Sequence, residues 1–129
     1  MKITNLDRVV LTVTDINKTC KFYQQVLGME IITFSNNRKA LKFGRQKINL
    51  HQVNREFEPK AELPTPGSAD FCLITVTPLK QVIEHCQNCG IATVLGIVER
   101  TGANGKIESI YIRDPDQNLI EIANYLEDE

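Results

Sequence analysis

The sequence predicts an α+β fold made of two tandem β-α-β-β-β modules. The first observation behind this is an internal repeat: Leu6-Asp7-Arg8-Val9-Val10-Leu11-Thr12-Val13-Thr14 returns as Ala69-Asp70-Phe71-Cys72-Leu73-Ile74-Thr75-Val76-Thr77, at an offset of 63 residues. The second is a late two-run pattern. Ala40-Leu41-Lys42-Phe43 with Ile48-Asn49-Leu50-His51 returns as Ile110-Tyr111-Ile112-Arg113 with Asn118-Leu119-Ile120-Glu121, at an offset of 70 residues. The third is one helical stretch after the opening run of each copy. Two such units must bury their apolar faces against each other, so that His51 faces Glu121 at corresponding places. The seven extra residues of the second copy are expected between Arg100 and Lys106.

In chain order, residues 7–13 form a Val- and Leu-rich strand, and Thr14-Asp15 signals a helix start. The helix runs to about Leu27, with Ile16, Cys20, Tyr23, Val26 and Leu27 on one face and Gly28 as its stop. Strands follow at 30–34, 38–43 and 47–53, joined by turns at Asn36-Asn37 and Gly44-Arg45-Gln46. The second copy has a strand at 70–76, a helix from Leu79 to Cys89 closed by Gly90, and strands at 92–98, 107–113 and 118–124. Asp114-Pro115-Asp116-Gln117-Asn118 reads as a tight hairpin connection. Module 1 thus spans 4–53 and module 2 spans 69–126. Residues 54–68, with Pro59, Pro64, Pro66 and Gly67, form a linker longer than most loops. It either wraps over the partner unit, covers the pocket, reaches a second subunit or serves as a passive connector.

With 129 residues and 42% hydrophobic content the chain fills one ordinary core. The formal charge of −1, with no Lys/Arg block longer than two, lacks the electrostatic footprint of a nucleic-acid binder. No apolar run approaches the ~20 residues of a membrane span, and the N-terminus lacks a signal-peptide core. The expectation is a cytoplasmic protein with a small-molecule substrate or ligand, and with no nucleic-acid or membrane partner. Four reduced cysteines follow from that compartment. Cys86-Gln87-Asn88-Cys89 resembles a zinc or redox pair, but no second pair completes a zinc site, and Leu79, Val82, Ile83 and Cys86 share the buried stripe of a helix. Cys86 is therefore read as a small hydrophobe, His85 as solvated surface and Glu127-Asp128-Glu129 as a solubilising tail.

The runs Phe22-Tyr23-Gln24-Gln25-Val26-Leu27-Gly28-Met29, Asn49-Leu50-His51 and Arg113-Asp114-Pro115-Asp116-Gln117-Asn118-Leu119-Ile120-Glu121 resemble the vicinal oxygen chelate superfamily of glyoxalases, extradiol dioxygenases and bleomycin- or fosfomycin-resistance proteins. Arg38-Lys39-Ala40-Leu41, residues 56–61 and Arg100-Thr101-Gly102-Ala103 are similar to its small glyoxalase-domain-containing, dioxygenase-related branch. The resemblance implies that the modules form a cup-shaped mixed sheet, that the protein is a homodimer, and that a divalent metal (Zn, Fe, Mn or Ni) sits at the base of the cup. The corresponding positions are residue 8, His51, residue 71 and Glu121. His51 and Glu121 are thus expected metal ligands, with Glu121 also a catalytic base. Arg8 and Phe71 stand where the other ligands belong.

A guanidinium has no lone pair to give a metal. Arg8 is therefore expected to weaken or abolish the site, pairing with Glu121 or anchoring an anionic substrate. Arg100 and Tyr111 join Arg8 and Phe71 as expected substrate-binding residues, although alternation on the strand 110–113 leaves open whether Tyr111 or Ile110 and Ile112 line the cup. Two functions follow from the resemblance. One is a metal-assisted lyase, isomerase or dioxygenase acting on a small oxygen-bearing substrate. The other is a metal-free binding or resistance protein in which Arg8 replaces a ligand histidine.

Overall fold

The computed structural model describes residues 1–126, so the expected tail Glu127–Glu129 lies outside the described residues. Its elements run β1 (Arg8–Val13), α1 (Ile16–Leu27), β2 (Glu30–Phe34), β3 (Arg38–Phe43), β4 (Gln46–Gln52), β5 (Asp70–Ile74), α2 (Leu79–Asn88), β6 (Val98–Gly102), β7 (Gly105–Arg113) and β8 (Leu119–Tyr125). They group into two units divided between Ser68 and Ala69. Each is a β-α-β-β-β module.

In unit 1 the sheet order is β1-β4-β3-β2, with β1 parallel to β4 and the other pairs antiparallel. The parallel pair needs a crossover, and α1 supplies it. Asp15 caps the helix by accepting from the Lys18 N–H at 3.1 Å. Gly28, at φ +68°, ends it with N–H groups turned back on Gln24 and Tyr23. Thr19, Cys20, Tyr23 and Val26 are buried beneath it. Leu11, Val13, Leu41, Ile48 and Leu50 are the buried residues of the sheet face that α1 covers.

Unit 2 repeats the plan as β5-β8-β7-β6. Its apolar face is Ile110, Ile112, Ile120 and Ile122, all buried under α2 with Leu79 and Cys86. Cys86 is 1% exposed, as a small hydrophobe on the buried stripe should be. His85 lies on the exposed side, 3.7 Å from the Cys89 sulfur.

The strand expected at 92–98 does not form. Residues 91–97 stay irregular, with the Val94 N–H reaching the Tyr111 carbonyl, and β6 begins at Val98. The stretch expected as an inserted loop is instead the outer part of the β6–β7 hairpin, closed by Ala103-Asn104 where Gly102 pairs with Gly105. Gly105 sits at φ +137°, a conformation open to glycine, so Asn104-Gly105 is the turn signal that the apolar run at 91–97 masked. Among the described residues no helix is long and apolar enough to cross a membrane.

Candidate functional site

The two copies are brought into register by their helix starts. The Gln52 side chain accepts from the Ile16 N–H at 3.3 Å and donates to the Thr14 carbonyl at 2.6 Å. Asn124 does the same in unit 2, accepting from Leu79 at 3.1 Å and donating to the Thr75 and Thr77 carbonyls. Each amide satisfies the first N–H of its helix, which no intrahelical carbonyl can reach. Gln52 therefore corresponds to Asn124, and counting three residues back from each makes Asn49, not His51, the counterpart of Glu121. Ladder pairing agrees: Asn49 lies opposite Val10 and Ala40, and Glu121 opposite Cys72 and Tyr111. The offset of 70 read from the letters was two residues short at this strand.

The same frame corrects the first-strand position. Arg8 pairs with Lys47 and Asp70 with Leu119, so Asp70 is the counterpart of Arg8. Phe71 pairs with Ile120 on the face toward α2, whereas Cys72 pairs with Glu121. Phe71 is thus on the wrong side of its sheet to join Glu121. Arg8 reaches into solvent, its side chain 52% exposed and 2.8 Å from Asp7, four ladder rungs from the Thr12–His51 pair.

The guanidinium at His51 is that of Arg38. Its Nη2 lies 3.3 Å from His51 Nε2. Arginine can only donate, so Nε2 accepts and the proton of the neutral ring resides on Nδ1. Arg38 is held over the rings of Phe57 and Phe34, at 4.2 and 5.3 Å from their centroids. Phe57 meets the His51 ring edge-on at 5.6 Å. His51 is 4% exposed, and burial, then the Arg38 charge, pushes its pKa below the ordinary value. Glu56 opposes this and Lys60 adds to it. Glu56 itself is held low by its own backbone N–H, with the Asn54 N–H at 2.9 Å and Lys60 at 3.5 Å assisting. The start of the linker therefore folds back over the sheet of its own module and covers His51.

In unit 2 the sequence-predicted residues Glu121, Arg100 and Tyr111 come together. Tyr111, not Ile110 or Ile112, shares the face of Glu121. The Tyr111 hydroxyl accepts from Arg100 Nε at 3.0 Å. Ser109 donates to Glu121 Oε2 at 2.6 Å. Glu121, Arg100, Cys72, Ile107 and Tyr125 line an open pocket of about 370 Å³. The Cys72 thiol is pushed up to about 11 by desolvation, then by the Glu121 carboxylate with which it hydrogen-bonds. It is a weak donor to Glu121 and stays a thiol at neutral pH.

The Asp-Pro-Asp-Gln-Asn turn aims this carboxylate. Asp114, 2% exposed, accepts from the Asp116 N–H at 2.9 Å, the Asn118 N–H at 3.0 Å and Asn118 Nδ2 at 2.8 Å. Asn118 in turn accepts from the Ala69 N–H at 2.9 Å. The start of β5 is thereby locked to the start of β8, two residues before Glu121. Arg38, Asn49 and Phe57 of unit 1 and Cys72 and Ser109 of unit 2 were not singled out from sequence. Alternation on β3 and β7 was the available signal, since Arg38 shares its face with Ala40, and Ser109 with Tyr111.

Residues 5–122 match the Glyoxalase/Bleomycin resistance protein/Dioxygenase superfamily. The chain belongs to that superfamily. The virulence protein STM3117 of Salmonella typhimurium is 60% identical over 126 residues, covering 98% of this chain and 88% of that protein. Its crystal structure has a TM-score of 0.96 and covers 98% of this chain and 100% of that one. A glyoxalase domain-containing protein, RDO1 of Mycosarcoma maydis, is 50% identical over 97% of this chain and 70% of its own length. The integron cassette protein VCH_CASS1, from the mobile metagenome of V. cholerae, is 53% identical with a TM-score of 0.96, covering 98% of each chain. The superfamily scaffold is thus present in both modules. Its name spans catalysis and plain binding, so the function has to be argued from side chains.

Those side chains do not suit a metal at His51. Nε2 is engaged by a cation, and a repulsion of about 4 kcal/mol per pair of unit charges at 4 Å (effective dielectric ~20) is doubled for a divalent ion. Among the described residues no three His, Cys, Asp or Glu side chains cluster in a way that could hold a metal.

Proposed function

We propose that the protein binds a small oxygen-bearing molecule without a resident divalent metal on His51. The observation that carries this reading is the 3.3 Å contact between the Arg38 guanidinium and His51 Nε2. In the pocket of unit 2, Arg100 is the anchor for negative charge on the ligand, and Glu121, oriented by Ser109, is the acceptor for a ligand hydroxyl. This is the metal-free alternative of the superfamily, with Arg38 in the part that the sequence assigned to Arg8.

A second reading is favoured by Glu121 itself. A carboxylate at an open pocket, hydrogen-bonded to a serine, is placed to remove a proton from a bound substrate. The protein is then a lyase or isomerase of the glyoxalase type, acting through the Glu121 carboxylate. Elemental analysis of tag-free protein prepared without chelators tests the first reading. Less than about one-tenth of a metal per chain is expected, rising in Arg38→Met if removal of the guanidinium frees Nε2. Near-stoichiometric metal in the unmodified protein overturns it.

A further inference from the structure

One face of the unit 1 sheet has unfinished hydrogen bonding. Asn49 is 6% exposed, yet among the described residues its Oδ1 has no hydrogen-bond partner. The same is true of Arg38 Nε, which is buried although Nη2 of the same guanidinium reaches His51. A buried acceptor or donor left unmade costs about 1–3 kcal/mol. Two of them on one face, one of each kind, are complementary to a single incoming group.

Strand register puts the two atoms on neighbouring sites. Asn49 lies opposite Ala40, and Arg38 is two residues along the same strand and so on the same face. Ala40, beside both on that face, carries only a methyl group and is itself fully buried. Phe34 and Phe57 hold the guanidinium plane, so it is presented to a ligand in a fixed orientation. The face is also cationic. Arg8, Arg38, Lys42 and Lys47 point to it by alternation, against Glu30 alone from the strands, and Lys47 Nζ reaches to 4.2 Å from the Phe34 ring. Glu56, the nearby linker carboxylate, is already paired with Lys60.

We propose that Arg38 and Asn49 form a recognition pair for a carboxylate that carries a hydroxyl or amine N–H on the adjacent carbon. The carboxylate accepts from Arg38 Nε, and the neighbouring O–H or N–H donates to Asn49 Oδ1. A plain carboxylate satisfies only the arginine. This is a subsite of unit 1, made of different residues from the unit 2 pocket, and it rests on the metal-free reading because it requires Arg38 to remain beside His51.

The test uses the full chain after chelator treatment, with glycolate and acetate as probes in calorimetric titrations. Glycolate should bind about tenfold more tightly than acetate, the worth of one buried hydrogen bond. In Asn49→Leu, similar in volume, glycolate should fall to the affinity of acetate while acetate is unchanged. In Arg38→Met both should lose binding. Equal affinities in the unmodified protein, a preference that survives Asn49→Leu, or no binding of either probe at tens of millimolar overturns the proposal. The comparison within the unmodified protein decides even if a variant fails to fold. Because the protein is metal-free in this assay, stoichiometric metal found before chelation would refute the preceding reading without altering the glycolate-to-acetate ratio.

Discussion

Gly102 of the β6–β7 hairpin lines the unit 2 pocket, and replacing it with alanine tests how that wall is held. A Cβ at this position would lie 2.8 Å from the Tyr125 hydroxyl, 3.0 Å from Ile107 Cγ2 and 3.1 Å from the Gly105 carbonyl. Ordinary contacts begin at 3.4 Å, so the tyrosine ring has to retreat by roughly half an ångström or more. Its hydroxyl also accepts from the Asn104 N–H at 3.1 Å, the bond that pins the hairpin tip, and retreat breaks it. Overpacking of about 1–3 kcal/mol and a lost hydrogen bond of about 1 kcal/mol together destabilise Gly102→Ala by about 2–4 kcal/mol. For a chain of this size that is a fall in Tm of roughly 6–16 °C. The assay is thermal or urea unfolding of Gly102→Ala, Tyr125→Phe and the double variant. Tyr125→Phe alone should cost about 1 kcal/mol, and the double variant should be more stable than Gly102→Ala, because the clashing oxygen has gone. Additive losses, or a neutral Gly102→Ala, would show that this close approach does not hold the hairpin.

The remaining predictions concern titration. Native His51 has a lowered pKa, so stability is complete above the unfolded value near 6.5 and falls as pH drops through it, because the unfolded chain takes up a proton that the native ring refuses. Urea midpoints at pH 7.5 and 5.5 should therefore differ less in Arg38→Met than in the unmodified protein, and NMR titration of His51 should move upward in that variant. Equal pH dependence would mean that Arg38 does not act on the ring. With its thiol at about 11, Cys72 should be alkylated by iodoacetamide far more slowly at pH 8 than a free thiol, and faster in Glu121→Gln. Peptide mass spectrometry after timed quenching checks both, and an unchanged rate in Glu121→Gln refutes the role of the carboxylate.

Local chemistry was the legible part of this sequence. Asp15, Gly28 and the Asp114–Asn118 turn act through their own side chains or backbone, so their type and spacing suffice. The site was only half legible. Glu121, Arg100 and Tyr111 lie on one face, because an alternating strand and a short hairpin bring them there, Arg100 and Glu121 lining the pocket and Tyr111 bonded to Arg100. The pairing of His51 with Glu121, and of Arg8 and Phe71 with the site, depends on strand register: one residue of shift turns Phe71 to the other face, and two move the counterpart of Glu121 from His51 to Asn49. The letters of the repeat carry no register; the amides of Gln52 and Asn124 do. The role of Arg38 is not legible in sequence because a cation on a strand is usually solvated, and only the two phenylalanine rings reveal that this one is held in place.

Those two amide clamps place Asn49 and Glu121 on corresponding rungs of their sheets. A neutral side chain occupies the rung in one copy, beside a guanidinium, and an acid occupies it in the other, beside a serine and a thiol. A symmetric plan thus carries an uneven pair of units: one presents positive charge on its sheet face, and the other a carboxylate. Exchanging the two residues, Asn49→Glu with Glu121→Asn, would preserve the inventory of the chain while reversing that division of labour.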